Sequence, residues 1–258
     1  MKVGFIGFGN MGRAMADGFL LKGVLKGEEM CACAKHWDKL CENTQARGMH
    51  ACRDAAEVAE WSDIVIAAVK PYLIEEVLDP IKDKLKGKIL VSVAAGFVFE
   101  RYEAFLLPGT AHLSTVPNTP VSIGEGIIIC ENRHSLNEEQ LRLVEDLLSS
   151  EGLIEYVDTK QMGIAGTISG CGPAFTAIYI EALADAGVFH GLPRSLAYQL
   201  ASQMVAGTGK LQLETGEHPG AMKDAVCSPG GTTIRGVAAL ERGGFRAAVM
   251  DAVDAAEK

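Results

Sequence analysis

Short apolar runs alternate with longer amphipathic segments up to about residue 157 of the chain. The apolar runs predict β-strands at Val3 to Ile6, Met30 to Ala34, Ile64 to Val69, Ile89 to Val93, Thr110 to Ser114 and Gly126 to Cys130. The segments between them have helical spacing and predict helices at Met11 to Lys22, Lys39 to Arg47, Ala55 to Glu60, Leu73 to Leu85 and Asn137 to Ser149. This alternation is typical of an α/β fold built on a doubly wound parallel sheet.

The pattern changes after Asp158, where strand-like runs end and Ala, Gly, Leu and Met become frequent. Helical segments are predicted at Pro173 to Phe189, Pro193 to Leu213 and Thr232 to Lys258. We therefore expect two domains, residues 1–157 forming a Rossmann-type sheet domain and residues 158–258 forming an all-helical domain. Segments such as Ala174 to Gly187 are apolar around much of the helix, and a domain of this size cannot bury so many apolar faces alone. A homodimer that pairs the helical domains would cover them.

Composition excludes several classes of protein. The chain has 258 residues, of which 48% are hydrophobic, so it can build a substantial core. Its net charge of -9 and its lack of basic clusters argue against a nucleic-acid partner. The opening MKVGFIGFGN enters a strand pattern without a signal peptide, and no apolar run approaches the ~20 residues of a membrane span, so we expect a cytoplasmic protein. Seven scattered cysteines predict reduced thiols and no metal site.

The segment GFGNMG matches the glycine-rich fingerprint of a dinucleotide site, directly between a predicted strand and a predicted helix. Gly7 permits the tight turn, Gly9 lets the backbone approach a pyrophosphate, and Gly12 allows close helix packing. The amides of Asn10 and Met11 would face the anion at the start of the helix. We expect cofactor contacts from the preceding Ile6 and from the whole segment, which comprises Gly7, Phe8, Gly9, Asn10, Met11 and Gly12.

The end of the second predicted strand indicates NADP. An NAD site carries an Asp or Glu there to bind the ribose hydroxyls, and this chain has Ala34 followed by Lys35 and His36. One firm positive charge and one titratable group would suit a 2′-phosphate. The alternative is that Lys35 and His36 are solvated loop residues, with Asp38 close enough to weaken their potential.

Five further segments carry a resemblance to a known family. They are AAVKP at Ala67 to Pro71, VPNTP at Val116 to Pro120, SGCGPAF at Ser169 to Phe175, GLPR at Gly191 to Arg194, and SPGGTTIRGVAALERGGF at Ser228 to Phe245. Together they resemble pyrroline-5-carboxylate reductase, the last enzyme of proline synthesis, over essentially the whole chain. The SPGGTT block is the most specific of the five.

The resemblance implies an N-terminal Rossmann domain that binds NADP and a C-terminal helical dimerisation domain. It further implies cofactor contacts from Ala68, Val69, Lys70, Pro71, Ala94, Ala95 and Asn118. Gly230, Gly231, Thr232 and Thr233 would bind the substrate, with Thr233 in the catalytic role. Lys70 has a simpler alternative as a solvated lysine at a strand end. The chain departs from the family pattern at Ser114 and Cys171, which affects the expected shape of the active-site wall.

The residues themselves suit the reduction of an imine. No His, Cys or carboxylate pair is arranged for demanding acid-base work, and a protonated imine needs mainly orientation, a proton source and a hydride. In SPGGTT the free amides at a helix start would accept a substrate carboxylate, and the Thr233 hydroxyl would lie at the ring nitrogen. An ordinary capped helix after a glycine-rich turn is the alternative.

These observations predict an NADPH-dependent oxidoreductase that reduces 1-pyrroline-5-carboxylate to L-proline. We expect a homodimer, or a higher homo-oligomer built from dimers, without a nucleic-acid or membrane partner. Two alternatives remain from the sequence: a related reductase of another imine or keto acid, and a non-catalytic nucleotide-sensing protein.

Overall fold

The computed structural model describes residues 1–257 and contains one sheet of eight strands. The strands are β1 (Val3–Ile6), β2 (Met30–Cys33), β3 (His50–Ala51), β4 (Ile64–Ala67), β5 (Ile89–Ser92), β6 (Ala111–Pro117), β7 (Gly126–Glu131) and β8 (Gly152–Val157). Their order across the sheet is β3-β2-β1-β4-β5-β6-β7-β8. The neighbours from β3 to β6 run parallel, β7 runs antiparallel to β6, and β8 is parallel to β7. All six predicted strands are present, and the predicted α/β fold class is confirmed.

Helices flank and follow the sheet. Those within the strand-containing region are α1 (Asn10–Lys22), α2 (Trp37–Gln45), α3 (Ala55–Trp61), α4 (Ile74–Leu78), α5 (Phe99–Phe105) and α6 (Glu138–Ser149). The remainder are α7 (Met162–Phe189), α8 (Arg194–Thr215), α9 (Pro219–Ala225), α10 (Thr232–Arg242) and α11 (Phe245–Ala256). Short 3-10 helices occur at Gly27–Glu29, Pro71–Leu73, Asp79–Leu85, Thr119–Ile123 and Thr159–Gln161.

The core lies on both faces of the sheet, because successive strand residues point to opposite sides. Phe5 belongs to the cluster that also contains Phe19 of α1 and Leu148 of α6. The next residue, Ile6, belongs to the other cluster, together with Tyr102 of α5. Because both faces of the sheet are covered, every position of a central strand is buried, and these strands appear as continuous apolar runs in the sequence.

In the sheet region, two strands and the helix α5 were missed by the hydrophobic pattern. Strand β3 has only two residues, which is too short for a periodic signal. Strand β8 lies at the edge of the sheet and Leu153 within it is 44% exposed, so β8 lacks the dense apolar run of its neighbours. The seven-residue helix α5 is likewise too short for a clear period.

The helix predicted over Leu73 to Leu85 is wrong as a single element. Only Ile74–Leu78 is α-helical, and it lies between two 3-10 helices. Pro80 explains the change, because proline lacks the amide hydrogen that an α-helix needs and its ring clashes with the preceding turn.

The helical region also differs from the sequence prediction in its boundaries. Helix α7 starts at Met162 and contains Pro173, which we had expected to open the helix. The segment predicted over Thr232 to Lys258 is divided into α10 and α11 at Gly243 and Gly244, where Gly244 adopts a left-handed φ of 73°. The short helix α9 was not predicted.

The chain divides into two compact units, Met1–Gly170 and Cys171–Lys258. The domain boundary at residues 157 and 158 stays a prediction. Within the second unit, the rings of Tyr179 and Phe245 pack with centroids 5.9 Å apart. Many of its large apolar side chains are exposed, including Ile178 at 66%, Phe189 at 86% and Leu213 at 71%. The single chain therefore leaves apolar surface uncovered, as a dimerisation domain would.

Candidate active site

The GFGNMG segment forms the turn from β1 into α1. Gly7 has a φ of 95°, and a Cβ at this position would lie 2.6 Å from the carbonyl oxygen of Ala68. Gly9 is the N-cap of α1, and a Cβ there would meet open space. Gly7 is thus required by the turn, and Gly9 leaves its backbone open to a ligand.

The first turn of α1 is suited to a phosphate group. Its leading amides, beginning with Asn10 and Met11, have no acceptor within the helix, and the first turn contains no acidic residue. Gly12 is buried, and a Cβ there would lie 2.7 Å from the carbonyl oxygen of Gly7. The tight packing that the sequence predicted for Gly12 is present, and the helix start presents amide hydrogens to an anion.

A cavity of ≈ 520 Å³ follows the carboxyl ends of β1, β4 and β5. It is lined by Gly9, Asn10, Met11, Ala68, Val69, Lys70, Pro71, Leu73, Val93, Ala94, Ala95 and Thr119. The predicted cofactor segments around Ala68 and Ala94 are thus brought together with the glycine-rich loop. Open α/β sheets bind ligands at this edge, where neighbouring connections leave on opposite faces.

A second cavity of ≈ 200 Å³ lies at the end of β2. Its walls comprise Phe8, Gly9, Asn10, Arg13, Ala34, Lys35, His36, Lys39, Leu40 and Asn43. Lys35 and His36 are exposed at its rim, as a group that reads a 2′-phosphate would be. The small Ala34 side chain stands where an NAD site would carry an acid.

Sequence reasoning missed two cations of this second cavity, Arg13 and Lys39. The Arg13 guanidinium donates to Asn10 Oδ1 at 2.8 Å and to the Gly9 carbonyl at 3.2 Å. A longer bond of 3.4 Å joins it to Asn43 Oδ1. Arg13 follows Asn10 by one helical turn, and this spacing was the available signal.

Asn118 differs in position from the rest of the predicted cofactor set. It is 6% exposed and lines neither cavity. Its side-chain Oδ1 accepts from the Ile127 amide at 2.8 Å, and its Nδ2 donates to the Ser169 carbonyl at 3.1 Å. The amide therefore serves contacts within the protein, and a cofactor contact by Asn118 stays a prediction.

Ile6 and Lys70, which we predicted to contact the cofactor, differ strongly in solvent exposure. Ile6 is 1% exposed in the core and can support the cofactor loop only from beneath. Lys70 is exposed at the N-cap of the 3-10 helix Pro71–Leu73 and lines the larger cavity. Its position is compatible with a cofactor contact and with the solvated alternative.

The SPGGTT segment forms a turn that leads into α10, as predicted. Gly230 has a left-handed φ of 71°, and Gly231 is the N-cap of α10. The Gly231 amide donates to the Ser228 carbonyl at 3.0 Å, so it is already bonded within the turn. The substrate contact expected from Gly231 stays a prediction. Thr232 and Thr233 are exposed in the first turn, and their amides have no acceptor within the helix.

The two positions that depart from the family pattern have different surroundings. Ser114 is 3% exposed on β6, so its side chain belongs to the interior of the sheet region. Cys171 is half-buried on α7 and is a free thiol. All seven cysteines are free.

Comparison with known proteins places these features in a family. Residues 159–258 match the family model described as pyrroline-5-carboxylate reductase dimerisation. Residues 2–96 match the model described as NADP oxidoreductase, coenzyme F420-dependent.

Curated relatives match over nearly their full length. The chain is 45% identical to pyrroline-5-carboxylate reductase of Treponema pallidum, over 99% of this chain and 98% of that protein. It is 39% identical to the Escherichia coli protein of the same name, over 98% and 94% of the two chains.

A comparison with solved structures indicates the same family as the curated relatives. The crystal structure of Plasmodium falciparum pyrroline carboxylate reductase with NADP bound has a TM-score of 0.89 and 33% identity. The match covers 100% of this chain and 95% of the Plasmodium falciparum chain. The fold, the cofactor class and the family that the motifs predicted are confirmed. This chain belongs to the pyrroline-5-carboxylate reductase family.

Proposed function

We propose that this protein reduces the C=N bond of 1-pyrroline-5-carboxylate to L-proline with NADPH, the last step of proline biosynthesis. The observation that carries the proposal is the pair of cavities beside the glycine-rich loop, one of them lined by Arg13, Lys35, His36 and Lys39. The names of the relatives and of the NADP-bound neighbour support the same activity.

The shape and charge of the first unit fit NADP. We assign the pyrophosphate to the open backbone at Gly9 and the first amides of α1. The four basic side chains would receive the 2′-phosphate, since guanidinium and ammonium groups make strong charge-assisted bonds to phosphate. Ala68, Val69, Ala94 and Ala95 would enclose the nicotinamide end in the larger cavity. NADPH supplies the hydride of the reaction from C4 of the nicotinamide.

The second unit supplies the proposed substrate groups. The amides of Gly230 and Thr232 would hold the carboxylate, and Gly231 would permit close approach because it lacks a side chain. The Thr233 hydroxyl would donate to the ring nitrogen or relay its proton. A protonated imine is already electrophilic, so orientation by these groups accounts for most of what the protein must contribute.

Steady-state oxidation of NADPH with pyrroline-5-carboxylate tests the proposed function. We expect saturable turnover with a higher kcat/KM for NADPH than for NADH. An open-chain keto acid serves as the control substrate and should give little turnover. Absence of turnover with pyrroline-5-carboxylate, or faster turnover with the keto acid, would contradict the assignment.

We propose that the protein acts as a homodimer, or as a larger assembly of dimers, in the cytoplasm. The dimerisation family model over residues 159–258 and the exposed apolar side chains of the second unit support this. Thr159–Phe189 has the length and a mean hydropathy of 1.2 that would also suit a membrane span, but only by length and composition. The net charge of -9 supports the expectation that nucleic acid is not a partner. Sedimentation at micromolar concentration without detergent should find dimers or multiples of dimers, and a stable active monomer would contradict the proposal.

A further inference from the structure

The loop after β5 forms one wall of the larger cavity, and a buried serine fixes it from inside the protein. Val93, Ala94 and Ala95 line the cavity. Ser92, the last residue of β5, is 1% exposed and its Oγ accepts a hydrogen bond of 3.2 Å from the Ala94 amide. The Ser92 carbonyl accepts a further bond of 2.7 Å from Thr115 Oγ1. Hydrogen bonds to Ser92 therefore fix the start of the segment Val93 to Ala95, which forms this wall of the cavity.

A tyrosine from α5 completes this arrangement. The Tyr102 hydroxyl donates to Ser92 Oγ at 2.6 Å, and the Tyr102 side chain is fully buried. Its ring packs against Phe97, with centroids 4.4 Å apart, and against His112 at 5.4 Å. Burial raises the pKa of Tyr102 well above its ordinary value, so the hydroxyl keeps its proton and remains a donor at neutral pH.

Without Tyr102, the serine hydroxyl would be free to leave its bond with the loop. A serine side chain has three staggered positions, and a second strong hydrogen bond selects one of them. Because the Ala94 amide bonds the same oxygen, the rotamer of Ser92 and the backbone at Ala94 are fixed together. A hydride transfer depends steeply on the placement of the reacting atoms, so a small shift of this wall has a large effect on rate.

We propose that Tyr102 is a positioning residue for the reduction, which acts through Ser92 to set the backbone at Ala94 along the nicotinamide side of the cavity. The inference rests on the proposed function of the same cavity. Tyr102 touches neither substrate nor cofactor in this role, because its side chain is fully buried.

The substitution Tyr102→Phe removes the hydroxyl and keeps the ring. We expect kcat to fall about 10-fold, and the isotope effect on kcat with NADPH deuterated at the transferred position to rise, because hydride transfer becomes more limiting. The matched control is Tyr156→Phe on β8. It removes a hydroxyl that donates to Glu145 Oε1 of α6 at 2.9 Å. The control should lose stability without either kinetic change.

Ser92→Ala provides an independent arm and covers the case in which Tyr102→Phe does not fold. It should reproduce the loss of kcat and the larger isotope effect, and the double variant should lose no more than Ser92→Ala alone. An unchanged kcat and isotope effect in a folded single variant, or additive losses in the double variant, would overturn the inference.

The emission of bound NADPH separates this inference from the proposed function, since it reports the nicotinamide surroundings without turnover. We expect Tyr102→Phe to change that emission and Tyr156→Phe to leave it as in the parent. An inactive parent would contradict the proposed function, whereas identical emission from all three proteins would contradict the positioning role.

Discussion

Asn118 Nδ2 donates a 3.1 Å hydrogen bond to the carbonyl oxygen of Ser169, the carbonyl that stands four residues before Pro173 in α7. Proline has no amide hydrogen, so the helix cannot satisfy this acceptor in the usual way. A side chain that follows β6 supplies the missing donor. The VPNTP and SGCGPAF motifs, which looked independent in the sequence, are thus physically connected through one amide group.

Replacing Asn118 should therefore cost stability. Asn118→Ala leaves the Ser169 carbonyl and the Ile127 amide without their partners, and we expect the free energy of unfolding to fall by about 1 to 3 kcal/mol. Denaturant unfolding measures the loss. The control is Asn132→Ala, which removes an exposed bond to Asp158 and should change stability by less than ~0.5 kcal/mol. Equal losses in the two variants would contradict the role of Asn118.

The Arg13 side chain should discriminate between NADPH and NADH. Arg13→Gln removes one cation from the smaller cavity, and we expect the dissociation constant of NADPH to rise by about 10- to 100-fold, since a charge-assisted phosphate contact is lost. NADH affinity should stay within a few fold. Binding titrations with both cofactors check this, and Arg142→Gln on the exposed face of α6 is the matched control. A similar loss for NADPH and NADH would exclude Arg13 from the 2′-phosphate site.

Thr233 should affect chemistry without affecting the cofactor. Thr233→Val keeps the branched shape and removes only the hydroxyl, and we expect kcat/KM to fall by about 10² to 10⁴, the usual range for a positioned proton transfer. The loss should be smaller at acidic pH, where the imine is protonated beforehand. The measurement is kcat/KM against pH, beside the dissociation constant of NADPH.

Thr208→Val makes the same chemical change on α8, where the hydroxyl bonds the Met204 carbonyl, and serves as its control. If Thr233→Val left the pH profile unchanged, the hydroxyl would have no part in the reaction. If NADPH binding collapsed instead, the residue would belong to the cofactor site.

Glu151 is a buried acid that should make stability depend on pH. It is fully buried beside Gly18, and neither carboxyl oxygen has a hydrogen-bond partner among the described residues. Burial raises the pKa of Glu151 to about 10, whereas an unfolded glutamate titrates near ~4.3. Between these values the unfolded chain loses a proton that the folded chain retains. Stability should therefore fall as pH rises through this window.

Glu151→Met keeps the length of the side chain and removes the titrating group. We expect it to raise the free energy of unfolding at pH 8 by about 1 to 3 kcal/mol and to flatten its pH dependence above pH ~5. Thermal or denaturant unfolding across this range measures both effects. Glu139→Met, at an exposed position in the first turn of α6, should leave the slope with pH as it is in the parent. A parallel pH dependence for parent and Glu151→Met would refute the assignment.

The parts of the fold that the sequence predicted are those with dense, uninterrupted patterns. Buried parallel strands such as β4 present an apolar residue at each position, and the long helix α6 carries a capping box at Asn137. The reversal at β7 was not predicted, because strand direction depends on the path of the connecting segment and leaves no trace in the strand's own residues. Pro173 misled the prediction of α7 since the side chain that compensates for it lies 55 positions earlier, at Asn118.

In the candidate site, too, the features with a local sequence pattern could be predicted, and those that depend on the folded structure could not. The glycine-rich loop could be predicted because Gly7 and Gly9 have local backbone reasons to be there. Lys39 could not, because a basic residue on a helix is ordinary until the fold places it beside the end of β2. Arg13 was missed although its spacing of one helical turn from Asn10 was a local signal. The occupation of the Gly231 amide by Ser228 is likewise a property of the folded turn.

The antiparallel pairing of β6 with β7 has a consequence for the order of folding. Pro117 and Gly126 are joined by a short connection, whereas neighbours such as β5 and β6 are separated by a longer segment that includes α5. Closing a short loop costs less chain entropy, so contacts of low sequence separation form faster. The β6 and β7 ribbon, with both backbone groups of Ile127 already bonded to Asn118, can therefore assemble early and present the Asn118 amide before α7 arrives.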